Sequence, residues 1–337
     1  MDQDNEREVV HYGVNGMLLQ FALWTAGWTV LFYILTSTSD RWMKTLPTST
    51  KAHENNKYWC ARNVIGAIHA LFIALISVPV FLFLCTKPSP WQFAASRHVD
   101  FCKYDEFTNL PEVEGIAFVY EAIALGGLAF TAFTLADVGI SVLHRLASWD
   151  YIVHHVAFIS AGLIIRMNCM LPFNAAMLLA MEVSTPSLNY LLFFRHRGAE
   201  YEKAVVNNGV VFVLLYLVFR LGINTYGFVL LCVHNFNAVP SGVAKWQAWF
   251  LLVAVGAGVA VQWFWFPGIC RTFGAGLGIW SKPRPSSASD DEGESSDTAE
   301  NGQALCCGMA TGENEESDVD NSVGTELMSA PAERERP

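Results

Sequence analysis

The chain has 337 residues, 53% of them hydrophobic and 15% charged. Soluble domains carry about 25% charged residues, so this composition, together with long apolar runs, excludes a soluble domain and indicates a polytopic membrane protein. The net charge of −10 belongs to the C-terminal tail: residues 281–337 hold 14 acids against 4 bases, and residues 1–280 hold 17 of each. The acidity therefore says nothing about what the apolar core binds.

Residues 1–12 form a short polar N-terminus, acidic and without a basic stretch, so no cleaved signal peptide is expected. A membrane helix needs about 20 mostly apolar residues. Seven stretches qualify as candidates within residues 13–280. The first covers about 13–36, the second about 63–85 with Asn63 and His69, and the third about 115–135 with Glu121. The fourth, about 151–167, is the shortest and starts with the adjacent pair His154-His155. The fifth, about 170–194, is interrupted by Pro186; the sixth, about 205–233, carries Arg220 in its middle; the seventh, about 246–267, ends in an aromatic cluster. If the fourth stretch does not cross, the count is six.

Basic residues test the topology. With the N-terminus outside, the inner loops hold twelve Lys and Arg and the outer side six, as the positive-inside rule requires. Residues 281–337 are rich in Ser, Asp, Glu, Gly and Pro, with no aromatic residue, and are expected to be disordered. Eight cysteines lie scattered, with no C-x-x-C. No metal or redox framework is therefore expected. Cys85 and Cys102 flank one outer loop and are read as thiols rather than as a disulfide. Cys306 and Cys307 in the tail are read as exposed thiols, with palmitoylation as the alternative.

Ionisable groups inside apolar helices cost several kcal/mol and mark functional sites by default. The candidates fall between Asp137 and Asn189. On a continuing helix Asp137, Ser141 and His144 share a face, either ending the third span or lining a solvated loop. Asp150 is suited to cap the fourth span. His154 and His155 point about 100° apart on a helix, so they cannot hold one ion between them, and no metal site is assigned. An imidazole near neutral pH is suited to general-base work. Glu182, Thr185 and Asn189 fall on one face of the fifth span. Pro186 cannot donate to the Glu182 carbonyl, so a bend with a free acceptor beside the carboxylate is expected, with Arg220 as the ionic partner of Glu182. His69 is a lone histidine in an apolar span. No nucleophile elbow, phosphate loop or dinucleotide fingerprint occurs, and nothing suggests nucleic-acid binding.

Arg62-Asn63 with His69-Ala70, then Asp137, His154-His155, the stretch Glu182-Val-Ser-Thr-Pro-Ser-Leu-Asn189 and Phe219-Arg220, in this order, resemble the TLC-domain membrane proteins over about residues 50–280. The resemblance implies an all-α bundle of membrane helices around a polar-lined cavity. It also implies lipid handling and, for most members, residence in the endoplasmic reticulum. The ceramide synthases of this family carry a histidine pair, matched by His154-His155, and a downstream His-Asp, which is absent here; after Met170 this chain offers Met181-Glu182 instead. This departure puts ceramide synthesis in doubt.

The expected function is a contribution to membrane lipid homeostasis, with acyl transfer to a lipid amine or hydroxyl as the reaction if the protein is an enzyme. His154, His155, Asp137 and Glu182 would then be catalytic, and His69, Thr185, Asn189 and Arg220 would bind substrate. No cofactor is expected; acyl-CoA would be a co-substrate, its phosphates drawn by the inner basic residues. The expected partners are membrane lipids, with a homodimer left open. The alternative is a non-enzymatic lipid binding, sensing or trafficking protein.

Overall fold

In a bilayer every backbone polar group must be satisfied within the protein, and a helix does this locally. The computed structural model describes residues 14–86, 116–168, 171–234 and 244–276. These are helical runs with short connections, and no strand occurs among them. The N-terminus 1–12, Cys102 with its pairing to Cys85, and the tail 281–337 with Cys306 and Cys307 lie outside the described residues.

Helix α1 is Val14–Ser37, the four-residue α2 is Ser39–Trp42 and α3 is Lys57–Cys85. Then come α4, Ile116–Leu143, and α5, Trp149–Met167. Helices α6, Pro172–Ala180, and α7, Thr185–Phe194, are joined by a 3-10 turn at Met181–Ser184. Helices α8, Ala199–Leu215, and α9, Asn224–His234, are joined by a π-helical stretch at Tyr216–Ile223. Helix α10 is Lys245–Gly276.

Six of these runs are long and apolar enough to cross a membrane: 16–37, 57–85, 121–143, 172–194, 199–233 and 245–273. The protein is an integral multi-pass membrane protein with an all-α fold. Helix α5 is shorter than these six runs, yet it crosses the bundle. Its first turn meets Asp137 and Arg62 through Tyr151. Its last turns, at Ile165, pack on the opposite cluster of Val80, Phe81 and Phe173. Nineteen residues rise about 28 Å, close to the roughly 30 Å hydrocarbon thickness. Six passes are long enough to cross, and α5 is a seventh, shorter apolar helix within the bundle.

The polarity of the passes follows from the same contacts. The loops after α1, α4 and α7 and the start of α3 gather at one end, where Arg197 donates to the carbonyls of Pro47 and Glu54. This end carries ten Lys and Arg among the described residues; the other end has Arg166 and Lys245, and Arg220 lies between. By the positive-inside rule it is the cytoplasmic end.

Two features hold that end. Glu54 is fully buried and takes a hydrogen bond from Ser49 Oγ at 2.6 Å and one from His196 Nδ1 at 2.8 Å, with Arg195 at 3.6 Å. Arg197 is 3% exposed and also bonds the Phe193 carbonyl. The connection between α2 and α3 is thus pinned to the α7–α8 turn. That turn passes through Gly198 at φ +131°, a backbone state that side chains other than hydrogen disfavour.

Small residues set the spacing of α4 and α5. A Cβ added at Gly162 would lie 2.3 Å from Thr131 Oγ1 and 3.3 Å from its Cγ2. Thr131 cannot yield easily, because its hydroxyl donates to the Gly127 carbonyl at 2.7 Å. Gly162→Ala is expected to lower stability by about 1–3 kcal/mol, the usual cost of overpacking. Thermal unfolding of the reconstituted protein measures it, and Thr131→Ala in the same chain should recover part of the loss.

Candidate functional site

A cavity of about 270 Å³ lies between α3, α4, α5, α6–α7 and the π stretch, with Gln262 of α10 also on its wall. On α4 its lining runs from Ile123 to Asp137. Fourteen residues of helix correspond to about 21 Å, so the cavity is elongated along the membrane normal. The Ile123 part is lined by apolar side chains such as Ala124, Ala161, Ile165 and Ala175; the polar groups gather toward the cytoplasmic end and the middle, with Arg166 at the outer end.

The cytoplasmic group is built on Asp137. Helix α4 continues past the expected end of the third span to Leu143, and Asp137 is 4% exposed, so it belongs to the helix and not to a solvated loop. Its carboxylate takes two hydrogen bonds from Arg62, Nε at 2.8 Å and Nη2 at 3.1 Å. The Tyr151 hydroxyl donates to Oδ2 as well. The Arg62 guanidinium lies 4.5 Å above the Tyr151 ring. This fork-on-carboxylate geometry is the strong form of the ion pair. It also completes the carboxylate's partners, so Asp137 acts as an anchor for three helices.

His155 stacks against the Tyr151 ring at 3.7 Å between centroids, and its Nδ1 lies 2.9 Å from the Tyr151 carbonyl oxygen. A carbonyl only accepts, so Nδ1 carries the proton. In the neutral ring Nε2 then holds the lone pair. It lies 4.0 Å from Asp137 Oδ2. The group that sets the tautomer is thus the Tyr151 backbone carbonyl one turn earlier, and not a carboxylate. His154 lies on the cavity wall between Phe158 at 4.5 Å and Trp265 of α10 at 6.4 Å. Ser148 is the N-cap of α5, so Asp150 falls inside the first turn and is not the cap.

His144 falls just beyond the third span. It lies past the end of α4 and stacks on Tyr58 at 3.9 Å, near Tyr33 of α1. Only Asp137 of the set Asp137, Ser141 and His144 lines the cavity.

The middle group is built on two irregular stretches that face each other. Glu182, Thr185 and Asn189 all line the cavity, as their spacing predicts. The helix breaks at Glu182, but by tightening into a 3-10 turn, with Pro186 in the first turn of α7. The Glu182 carbonyl is not free: it accepts from the Thr185 amide. On the neighbouring pass Arg220 sits in the π stretch and is 8% exposed. Its Nε donates to Ser184 Oγ at 2.7 Å and its Nη2 to Thr185 Oγ1 at 2.8 Å. The expected partner Glu182 is in ionic range at 3.9 Å, beyond hydrogen-bond distance. π-Helical insertions are frequent at functional sites, and here one turns an arginine inward at membrane depth.

His69 is 2% exposed and lines the cavity, stacked on Phe133 at 3.8 Å and edge-on to Trp28. Its Nε2 has no hydrogen-bond partner among the described residues. Asn189 approaches Gly66 so closely that a Cβ there would sit 3.2 Å from its Nδ2. No group of three or more His, Cys, Asp or Glu able to hold a metal occurs among the described residues.

The structure thus brings all eight sequence-predicted site residues to one cavity. Sequence reasoning did not place Arg62, Tyr151, Ser184 or Gln262 in the site. Arg62 was one of the twelve inner charges, and only its contact with Asp137, 75 residues later, draws it into the bundle. Gln262 is a lone amide in an apolar span, the same signal that drew attention to His69.

An all-helical membrane bundle with this polar-headed cavity defines the class. The TLC domain family model matches residues 9–271, and the chain belongs to that family. Among curated proteins it is similar to TLC domain-containing protein 4 of Homo sapiens, at 24% identity over 213 residues, covering 61% of this chain and 70% of the relative. No solved structure matches.

Removing either partner of the Arg62–Asp137 pair would leave a buried charge without compensation, at a cost of about 3–5 kcal/mol. Arg62→Ala and Asp137→Ala are each expected to reduce the monodisperse fraction in detergent size-exclusion chromatography. The double change to a Met–Leu pair should recover more folded protein than either single variant.

Proposed function

We propose that this protein takes a membrane lipid into the cavity, with the head among the polar groups near Glu182 and His155 and the chains along the apolar stretch toward Ile123. The single observation that carries this reading is the cavity's polarity gradient: an elongated apolar space inside a membrane bundle, with ionisable groups confined to its middle and cytoplasmic end and one arginine, Arg166, at the other. An amphiphile fits such a space. A contribution to membrane lipid homeostasis follows, and the endoplasmic reticulum is the proposed residence on family grounds.

Acyl transfer is the chemistry the polar end suits best. His155 holds its proton on Nδ1 against a carbonyl, so Nε2 is oriented as a base. In this reading Nε2 removes a proton from the acceptor's amine or hydroxyl as its heteroatom attacks the thioester carbon of acyl-CoA; the C–S bond breaks, and CoA leaves as the thiol by taking that proton back from the imidazolium. Asp137, fixed by Arg62, stabilises the imidazolium from 4.0 Å. His154 flanks the acceptor. Lys and Arg side chains at the cytoplasmic end attract the CoA phosphates.

The non-enzymatic reading has its own support. Asp137 and Arg220 are already satisfied by protein groups, as in a site shaped to hold a head group. The two readings part on one assay. Purified protein in nanodiscs is given labelled acyl-CoA and a panel of long-chain bases, lysolipids and ethanolamine lipids. A labelled product that falls by about 10²-fold or more in His155→Ala, the usual worth of a general base, establishes the transferase. Absence of product from every acceptor, with lipid still co-purifying, establishes the binding protein. Absence of both overturns the reading.

A further inference from the structure

The cytoplasmic end carries more exposed positive charge than it neutralises. Lys44, Lys51, Lys57 and Arg145 are all exposed, and none forms an ion pair among the described residues. The buried carboxylate at this end, Glu54, is taken by Ser49, His196 and Arg195. Asp137 is taken by Arg62. Of the exposed carboxylates here, Asp40 is the sequence neighbour of Arg41, and Glu200 and Glu202 stand beside Lys203 in the sequence.

The four cations belong to one surface. The segments that carry them pack on a single apolar cluster, through Met43 and Leu46 before α3, Tyr58 at its start and Ile140 near the end of α4. Tyr58 stacks on His144 at 3.9 Å, so the chains carrying Lys57 and Arg145 meet there. Lys57 precedes Arg62 by five residues, about 7.5 Å along the helix axis. The surface therefore lies just beyond the cytoplasmic end of the cavity, which Arg62 and Asp137 line.

The chain itself holds the complementary charge. Residues 1–280 are balanced, whereas residues 281–337 carry the whole net charge of −10. The acids are grouped: Asp290, Asp291, Glu292, Glu294, Asp297 and Glu300 fall within eleven residues that hold no Lys or Arg. The chain also leaves the described bundle at the right end. Phe273 of α10 packs on Phe212 and against Gly209 of α8, the helix that starts at the cytoplasmic turn. The 14 residues from Gly276 to Asp290 reach at most about 50 Å. Packed helix axes lie about 8–10 Å apart, so this reach covers the whole cytoplasmic face. Tethering makes the encounter intramolecular, at an effective concentration on the order of millimolar.

We propose that the acidic stretch 290–300 docks on the basic surface formed by Lys44, Lys51, Lys57 and Arg145, covering the cytoplasmic end of the bundle. One exposed ion pair is weak, but six carboxylates on one tether act on these cations together. The inference goes beyond the lipid reading and does not depend on it. A seated tail screens the charges that meet phosphate-bearing ligands from the cytoplasmic side and so competes with them.

The test uses the full chain in nanodiscs, one copy per disc, made of phosphatidylcholine alone or with added phosphatidylserine, at about 0.15 M salt. A carbodiimide, which joins an amine to a carboxylate in direct contact, is followed by peptide mass spectrometry. Links from Lys44, Lys51 or Lys57 to residues 290–300 are expected in both lipid compositions. They should disappear at about 1 M salt, where charges are screened beyond about 3 Å. The second measurement is the acetylation rate of each lysine. Changing the six acids to their amides (Asp→Asn, Glu→Gln) leaves every described residue intact. In that variant the rates at Lys44, Lys51 and Lys57 should rise about threefold, in the range that a few exposed ion pairs give. The rate at Lys245, exposed at the opposite end, should not change. Absence of links together with unchanged rates overturns the proposal. Protection that appears only with phosphatidylserine and persists in the amide variant also overturns it, and assigns the surface to the anionic leaflet.

Discussion

The bundle depends on one buried ion pair. Arg62 and Asp137 join α3 to α4 by two charge-assisted hydrogen bonds, and Tyr151 brings α5 to the same carboxylate. A charge at this depth is tolerated only when paired. The pair therefore works as a register pin: sliding α4 along α3 by one turn would strand both charges in apolar surroundings. His155 packs against the Tyr151 ring, so the orientation of the candidate base is inherited from the same pin. One constraint positions the helices and the chemistry together.

The second level of organisation lies in two departures from α-helical winding. At Met181–Ser184 the chain tightens, and at Tyr216–Ile223 it widens. The two stretches meet through Arg220, Ser184 and Thr185. A regular helix on either pass would carry these side chains to different faces. The irregular backbone at membrane depth borders the cavity, which is where such backbone is tolerated. Because the two hydroxyls take the arginine's donors, Glu182 is left facing the cavity with a carboxylate still to be satisfied.

At the cytoplasmic end a separate cluster holds the loop between α2 and α3. Glu54, His196 and Arg197 lie far apart in sequence, yet they tie the mouth of α3 to the α7–α8 turn. Arg62 lies one and a half turns inside α3. The loop clamp thus supports the ion pair, and through it the cavity, without contributing to the cavity wall.

The sequence by itself determined the membrane class, the all-α fold, the approximate spans and eight of the residues that line the cavity. These follow from one-dimensional signals. Apolar runs of membrane length can only be helices, and ionisable groups within them must turn inward. The shared face of Glu182, Thr185 and Asn189 was legible because helical spacing survives a single 3-10 turn. What only the tertiary structure decided was who pairs with whom. Asp137 could be read as loop or helix from its neighbours, and its burial depends on Arg62, 75 residues earlier. Arg220 was legible as a buried charge, but its choice of Ser184 and Thr185 over Glu182 depends on the π stretch, which no pattern in the sequence announced. His144, which the sequence left either ending the third span or in the loop after it, lies just past the end of α4, where it meets an aromatic partner on α3. The place of α5 was open for the same reason: its length is marginal, and only its contacts show that it runs from one end of the bundle to the other. Local chemistry names the residues that must be inside, whereas long-range packing assigns their partners.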